Sequence, residues 1–160
     1  MHLFYAIVSV YRETCQEYSR EVEKLAFKLL ELISLSLGLP ANRLSDYFKH
    51  QTGMLRLNYY PPCPSPELAL GVGQHRDGGA LTVLAQDDVG GLQIKRQSDG
   101  EWIPIRPIPN AYIINIADSL QVTMVFGLVR QVPYVFNCTY SKEHIVKQMV
   151  FCRFGVMIFM

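Results

Sequence analysis

The sequence is organised around one stretch, Gly73-Gln74-His75-Arg76-Asp77-Gly78-Gly79-Ala80-Leu81-Thr82. At its centre, His75 and Asp77 lie two residues apart. Side chains alternate between the two faces of an extended strand, so these two would share a face and could bind one metal ion together. The glycines on either side are expected to let the backbone bend tightly and a ligand approach closely. The tripeptide alone is a weak signal, because most His-x-Asp sequences bind nothing.

The composition predicts a single folded domain without a nucleic-acid or membrane partner. The chain has 160 residues, of which 49% are hydrophobic and 18% charged, enough for a buried core. Its net charge of +1 gives no reason to expect binding to nucleic acid or to an anionic membrane. The N-terminus lacks the basic start and the cleavage site of a signal peptide, and no apolar run reaches the ~18 residues of a membrane span.

The cysteines favour a reducing compartment. The four of them are scattered along the chain and form no Cys-x-x-Cys pair. We therefore expect reduced thiols in a cytosolic protein, with neither a zinc site nor a disulfide framework.

The first part of the chain has a helical pattern. Residues 12–37 predict one amphipathic helix, which Gly38 and Pro40 would end. One face of this helix repeats apolar residues at helical spacing: Val22, Leu25, Ala26, Leu29, Leu30 and Ile33. The opposite face carries Glu13, Glu17, Arg20, Glu23 and Lys24. A shorter helix is expected over residues 42–48, and neither helix carries a chemical motif.

After His50 the pattern alternates with a period of two, as in strands. In the first predicted strand Leu55, Leu57 and Tyr59 alternate with Arg56, Asn58 and Tyr60, as in a half-buried strand, and Asn58 and Tyr60 would point together into whatever their face lines. The alternative is that these two polar residues only complete a rim. Further strands are predicted over residues 80–85, 92–95, 101–105 and 111–116, separated by turn sequences. Short strands without helices between them predict an antiparallel sandwich or barrel, of which a jelly roll is one form.

The last part of the chain differs in composition. Between Thr123 and Met160, Glu143 is the only acidic residue, and no Gly/Asp turn pair occurs. Residues 150–160 combine high β propensity with low charge, so we interpret them as an exposed aggregation-prone end rather than a regular last strand.

Six ordered phrases carry a family resemblance. They are Leu57-Asn58-Tyr59-Tyr60-Pro61-Pro62-Cys63-Pro64, Leu70-Gly71-Val72-Gly73-Gln74-His75-Arg76-Asp77, Leu81-Thr82-Val83-Leu84, Gly90-Gly91-Leu92-Gln93, Gly100-Glu101-Trp102 and Ile114-Asn115-Ile116-Ala117-Asp118-Ser119-Leu120-Gln121-Val122. Over about residues 11–122 the chain resembles the plant 2-oxoglutarate- and Fe(II)-dependent dioxygenases, which include flavonol synthase, anthocyanidin synthase and gibberellin oxidases.

The resemblance implies a mainly β fold, a partial double-stranded β-helix (jelly roll) preceded by an amphipathic α-helix. It divides the chain into an N-terminal helical region (1–50), an incomplete dioxygenase domain (51–122) and a tail that departs from the family (123–160). His75 and Asp77 would be iron ligands, two of the three in the two-His-one-carboxylate triad. Tyr60 and Asn58 would contact 2-oxoglutarate.

The implied activity is that of an oxidoreductase of plant specialised metabolism. Oxidative decarboxylation of 2-oxoglutarate to succinate and CO₂ would drive the oxidation of a small organic metabolite by O₂, with Fe(II) as cofactor and ascorbate as a supporting reductant. We expect a cytoplasmic monomer.

The tail lacks two features that the family would supply there. No Glu-His-Arg phrase carries the second histidine ligand, and no Arg-x-Ser phrase is present to bind the far carboxylate of 2-oxoglutarate. His144 is the only histidine downstream, at a longer spacing, and Arg153 is followed two residues later by glycine. Ala117 stands where the family usually has glycine; if that turn needs a positive φ, alanine costs about 1 kcal/mol.

Three interpretations follow from these departures. The first is a 2-oxoglutarate/Fe(II) dioxygenase, truncated and impaired. The second is an inactive fragment or weak metal-binding relic, and a more distant third is a cupin-like metal-binding module. We also hypothesise that residues 123–160, and residues 1–10 as well, derive from a retained intron or a gene-model error.

Overall fold

A computed structural model describes residues 2–50, 53–69, 71–96, 98–122, 145–148 and 154–159. The chain divides into two compact units. One comprises Met1–Leu55 with Ile158–Met160, and the other Arg56–Met157.

The first unit is helical. Helix α1 spans His2–Ser36, so it begins earlier than the predicted residue 12 and ends where predicted. Its buried residues follow every fourth position: Val22, Ala26, Leu30 and Ser34. The predicted apolar face is therefore confirmed, and the charged residues predicted opposite to it are exposed. Gly38 ends the helix with a φ of 71°, the left-handed conformation that glycine adopts without strain.

A buried serine joins α1 to the second helix, α2 (Arg43–Tyr47). The hydroxyl of Ser34 donates a hydrogen bond to the carbonyl of Leu30 (2.8 Å) and accepts one from the backbone N–H of Leu44 (3.2 Å). Both polar functions of the hydroxyl are thereby satisfied inside an apolar contact, as burial requires.

The rest of the described chain is mainly strand. The strands are β1 (Met54–Tyr59), β2 (Val72–His75), β3 (Leu81–Gln86), β4 (Leu92–Lys95), β5 (Trp102–Pro104), β6 (Ile113–Ile116), β7 (Ile145–Gln148) and β8 (Phe154–Phe159). A short helix, α3 (Asp118–Val122), follows β6 and was not predicted. The strands form two four-stranded sheets, with orders β1-β8-β3-β6 and β2-β7-β4-β5.

Strand β3 forms the core of the first sheet. Its residues Leu81–Leu84 are all buried, as expected for a strand with a neighbour on each side and both faces covered. It pairs antiparallel with β6, with Thr82 opposite Asn115 and Leu84 opposite Ile113. Directly opposite residues in such a pair project to the same face of the sheet. Thr82 and Asn115 are therefore neighbours on one face.

The alternation predicted for β1 is only partly reflected in its burial. Leu57 and Tyr59 are 48% and 58% exposed, whereas Asn58 and Tyr60 are half-buried. Within β1 the half-buried positions are Leu55 and Asn58, so burial does not follow a strict period of two. Hydrophobicity alone does not determine which residues are enclosed, because apolar side chains are common on protein surfaces.

The interpretation of the chain end was wrong in part. Residues 154–159 form β8, which lies between β1 and β3 rather than projecting as an exposed end. Strand β7 lies between β2 and β4, and its Val146 is paired with His75. Both strands come from the segment predicted to be foreign to the family, and that origin stays a prediction.

None of the helices within the described ranges combines the length and the apolar character needed to cross a bilayer.

Candidate metal centre

The predicted ligand pair converges in space. His75 is the last residue of β2, and Asp77 follows two residues later, outside the strand. The expectation that both lie on one strand was therefore wrong. Their side chains nevertheless meet, with Nε2 of His75 3.6 Å from Oδ1 of Asp77. The loop after β2 thus achieves the juxtaposition that strand alternation was expected to provide.

A backbone contact orients the imidazole. Nδ1 of His75 lies 2.9 Å from the carbonyl oxygen of Gly73. Because a carbonyl can only accept, this hydrogen bond requires a proton on Nδ1, and in that tautomer of a neutral ring Nε2 can bind a metal ion. Metal-binding histidines are usually oriented in this way, by a hydrogen bond from the other ring nitrogen to a carbonyl or carboxylate.

The Asp77 carboxylate is buried, with 4% of its side chain exposed. Its second oxygen, Oδ2, accepts a hydrogen bond from the Nδ2 amide of Asn115 (3.1 Å). The adjacent Arg76 is directed elsewhere, with Nη1 3.9 Å from the carboxylate of Asp118. Among the described residues, no lysine or arginine forms an ion pair with Asp77.

The backbone around Asp77 is held by the start of α3. Four successive carbonyls, those of residues 77–80, each accept a hydrogen bond from residues 117–119. The N–H of Asp118 donates to Asp77 (2.9 Å), that of Ser119 to Gly79 (3.1 Å), and that of Ala117 to Ala80 (2.9 Å). The Ser119 hydroxyl donates to Gly78. We call these contacts the 77–80 clasp.

The clasp corrects two expectations about glycine. Ala117 does not have a positive φ, so the conformational cost considered for alanine at this turn does not arise. Gly73 and Gly78 have no positive φ either, and a Cβ at each would meet nothing within 4 Å. The loop geometry is therefore set by its hydrogen bonds and not by left-handed glycines.

The pair fits a divalent metal ion as two of its ligands. Metal–nitrogen and metal–oxygen bonds of about 2.0–2.2 Å each can together span up to ~4.2 Å, and the 3.6 Å separation lies within that reach. The described residues contain no group of three His, Cys, Asp or Glu side chains arranged for a metal. His144 and Arg153, weighed above as substitutes for the missing family residues, lie outside the described residues.

The two predicted 2-oxoglutarate residues are half-buried. Asn58 lies near the end of β1 and Tyr60 just beyond it. This placement agrees with the predicted orientation toward an interior. Their contact with 2-oxoglutarate stays a prediction.

Sequence reasoning assigned no role to Asn115 or Thr82. Asn115 is the one polar residue in the apolar strand β6, and that interruption was the available signal. Thr82 is 1% exposed, and its hydroxyl has no hydrogen-bond partner in the described part of the chain. Because Thr82 and Asn115 are opposite each other in the β3–β6 pair, the buried Thr82 hydroxyl lies beside the Asn115 amide that bonds to Asp77.

A groove of about 590 Å³ lies in the helical unit and contains none of the predicted site residues. It is lined by Tyr11, Arg12, Cys15, Gln16, Ser19, Arg20, Gly53 and Leu55. A hydrogen bond with Cys15 raises the pKa of the exposed Tyr11 phenol.

Comparison with known proteins identifies the family. The 2OG-Fe(II) oxygenase superfamily matches residues 51–132. The chain is 47% identical over 104 residues to gibberellin 20 oxidase 2 of Oryza sativa subsp. indica, which covers 65% of the chain and 26% of that protein. It is 41% identical over 144 residues to thebaine 6-O-demethylase of Papaver somniferum, covering 86% of the chain and 39% of that protein.

A solved structure shows the same fold. The crystal structure of JOX2 in complex with 2OG, Fe and JA matches 92% of this chain with a TM-score of 0.76 and 35% identity, over 41% of its own length. The chain thus spans well under half the length of these proteins. The predicted partial double-stranded β-helix is confirmed. With its ordered motifs, its two sheets and a superfamily match over half of its length, the chain belongs to the 2OG-Fe(II) oxygenase superfamily.

Proposed function

We propose that this chain contributes the metal-binding part of a 2-oxoglutarate- and Fe(II)-dependent dioxygenase that oxidises a small organic metabolite. The observation that carries the proposal is the buried Asp77 carboxylate, whose Oδ1 lies 3.6 Å from Nε2 of His75 while Nδ1 of the same ring contacts the Gly73 carbonyl. A buried carboxylate is costly unless a cation or several hydrogen bonds compensate its charge. In the described residues, one amide and one imidazole face it, and a divalent cation would complete the compensation.

His75 and Asp77 would hold the metal, and Asn58 and Tyr60 would position 2-oxoglutarate. The metal, when bound with 2-oxoglutarate and O₂, supplies the oxidising power that the protein itself lacks. The protein orients the ligands and excludes water. The burial of Asp77 and of strand β3 supports the second of these tasks.

The substrate is proposed only as a class. The names of the relatives refer to gibberellin and to thebaine, two different small molecules. They support a small organic metabolite of plant specialised metabolism, with ascorbate as a supporting reductant. We also propose a cytoplasmic monomer without a membrane or nucleic-acid partner, on the grounds of the near-zero net charge and the scattered cysteines.

A second candidate function is a weak metal-binding relic without turnover. It is favoured by the ligand set, since the described residues supply two protein ligands and not three. Two ligands would bind the ion less tightly and would leave more of its coordination sphere to water. The missing 2-oxoglutarate-binding arginine points the same way.

Two measurements on the full chain test these proposals. Titration with Mn²⁺, followed by electron paramagnetic resonance, should show binding that the double variant His75→Ala/Asp77→Ala loses. Equal binding by the two proteins would reject the metal centre.

The second measurement is succinate formation in the presence of Fe(II), ascorbate and 2-oxoglutarate. We expect little succinate from this chain and restored production after fusion to the C-terminal half of a relative. Succinate from the unmodified chain well above the level of the double variant would exclude the relic. It would also show that the third ligand is present.

A further inference from the structure

We propose that Asn115 is a positioning residue for the metal centre: its amide holds the Asp77 carboxylate in the rotation that presents Oδ1 to the metal. The inference rests on the proposed function, because it assigns Asn115 a role toward the same metal ligand. It concerns a residue 38 positions away in sequence and in a different sheet from β2.

The two carboxylate oxygens of Asp77 have separate partners. Oδ2 accepts the hydrogen bond from Nδ2 of Asn115 at 3.1 Å, whereas Oδ1 faces Nε2 of His75 at 3.6 Å. A carboxylate that is free to rotate about its terminal torsion samples a broad range of angles. The amide contact restricts that rotation and leaves one oxygen directed at the imidazole.

The backbone of Asp77 is already held by other groups. The clasp satisfies the carbonyls of residues 77–80 through residues 117–119. Asn115 itself is fixed by the pairing of β6 with β3, where it is opposite the buried Thr82. Loss of the Asn115 side chain should therefore alter the direction of the carboxylate more than the fold of the loop.

An amide suits this role for an electrostatic reason. It donates a hydrogen bond without adding charge, so Asp77 keeps its full negative charge for the metal. A lysine or arginine in the same place would neutralise the carboxylate and compete with the cation. Partners that orient metal ligands in this way typically affect metal affinity by about 10–100-fold.

The test measures the Mn²⁺ Kd of the full chain by electron paramagnetic resonance, together with the thermal unfolding midpoint. Asn115→Leu keeps the branched shape and removes the donor; we expect at least a tenfold weaker Kd. Asn115→Gln keeps a donor on a longer side chain and should recover part of that loss. Asn42→Ala is the matched control, because Asn42 makes the same kind of amide–carboxylate bond to Asp46 (2.8 Å) in α2.

Each outcome decides the inference. A Kd weakened by Asn115→Leu, partly recovered by Asn115→Gln and unchanged by Asn42→Ala supports it. An unchanged Kd in Asn115→Leu overturns it while leaving the metal centre intact. Equal losses of affinity in both Asn115 variants, accompanied by equal drops in the unfolding midpoint, would show a structural role and also overturn it. If the unmodified chain binds no better than Asp77→Ala, the metal centre and the inference fail together.

Discussion

Asp77 and Asp99 are both held by hydrogen bonds, but the first is buried and the second faces solvent. The Asp77 side chain is 4% exposed, and that of Asp99 is 46% exposed. The Asp99 carboxylate accepts hydrogen bonds from Nε (2.8 Å) and Nη2 (2.6 Å) of Arg96, and Arg96 also donates a hydrogen bond to Glu101. The exposed carboxylate therefore has a guanidinium partner, whereas the buried one has an amide and an imidazole.

The difference distinguishes a carboxylate that stabilises a turn from the carboxylate that we propose as a metal ligand. A guanidinium beside a carboxylate satisfies its charge within the protein and stabilises a turn, here the hairpin between β4 and β5. A buried carboxylate without such a partner keeps its charge available. We therefore expect the near-isosteric change from aspartate to asparagine to lower the Mn²⁺ affinity at residue 77 and to leave it unchanged at residue 99.

The largest effect is expected for Asp77→Asn compared with Asp99→Asn. Asp77→Asn removes the proposed anionic ligand, so the Mn²⁺ affinity should fall by more than the ~10–100-fold that loss of an orienting partner costs. The metal-free protein should be as stable as the unmodified chain or more so, because the new amide can donate toward Nε2 of His75 and a buried charge is removed. Asp99→Asn should leave the Mn²⁺ affinity unchanged. Similar losses of Mn²⁺ affinity in both variants would contradict the proposal that Asp77, and not Asp99, binds the metal.

A medium effect is expected for Thr82→Val. The Thr82 hydroxyl is buried without a hydrogen-bond partner among the described residues, and such a group costs about 1–3 kcal/mol. Valine has nearly the same shape, so the free energy of unfolding should rise by about 1 kcal/mol in chemical denaturation. Thr14→Val is the matched control, since the exposed Thr14 hydroxyl donates to the carbonyl of Val10 (2.9 Å) and should yield no gain. Destabilisation by Thr82→Val would reveal a partner for the hydroxyl and place a second functional polar group beside Asn115.

The smallest effect concerns the pH dependence of the Arg96–Asp99 pair. The hydrogen bond from Arg96 holds the pKa of the Asp99 carboxyl below its ordinary value. Stability from this charge is therefore fully present above the ordinary aspartate pKa and is lost as the pH falls through the lowered folded-state value. Denaturation across the acid range should show a small difference between the unmodified chain and Asp99→Asn that shrinks as the pH falls. A difference that grows on acidification would mean that the pair does not stabilise the turn.

Local patterns predicted much of the architecture. The apolar face of α1 and the turn at Gly38 follow from the periodicity and the glycine signal. Strands β3 to β6 occur close to their predicted positions, because alternation and turn residues act over a few neighbours. The same locality made His75 and Asp77 recognisable as a pair, even though the geometry that unites them is a loop and not a strand.

Long-range pairing decided the rest. In β1 the hydrophobic alternation does not determine which face is enclosed, and the side chains of Leu57 and Tyr59 are exposed. The place of β8 between β1 and β3 depends on partners more than 60 residues away in sequence, which a local pattern does not encode.

By itself, the sequence determined the family, the helix α1, strands β3 to β6 and the pair of residues, His75 and Asp77, that we propose as metal ligands. These properties reside in short ordered motifs and in periodicities of two and 3.6 residues. Only the tertiary structure brought Asn115 to Asp77, left the Thr82 hydroxyl buried beside it, and joined residues 117–119 to the carbonyls of residues 77–80. Such contacts arise from strand register, which is settled by how the sheets pack and not by any neighbouring residue along the chain.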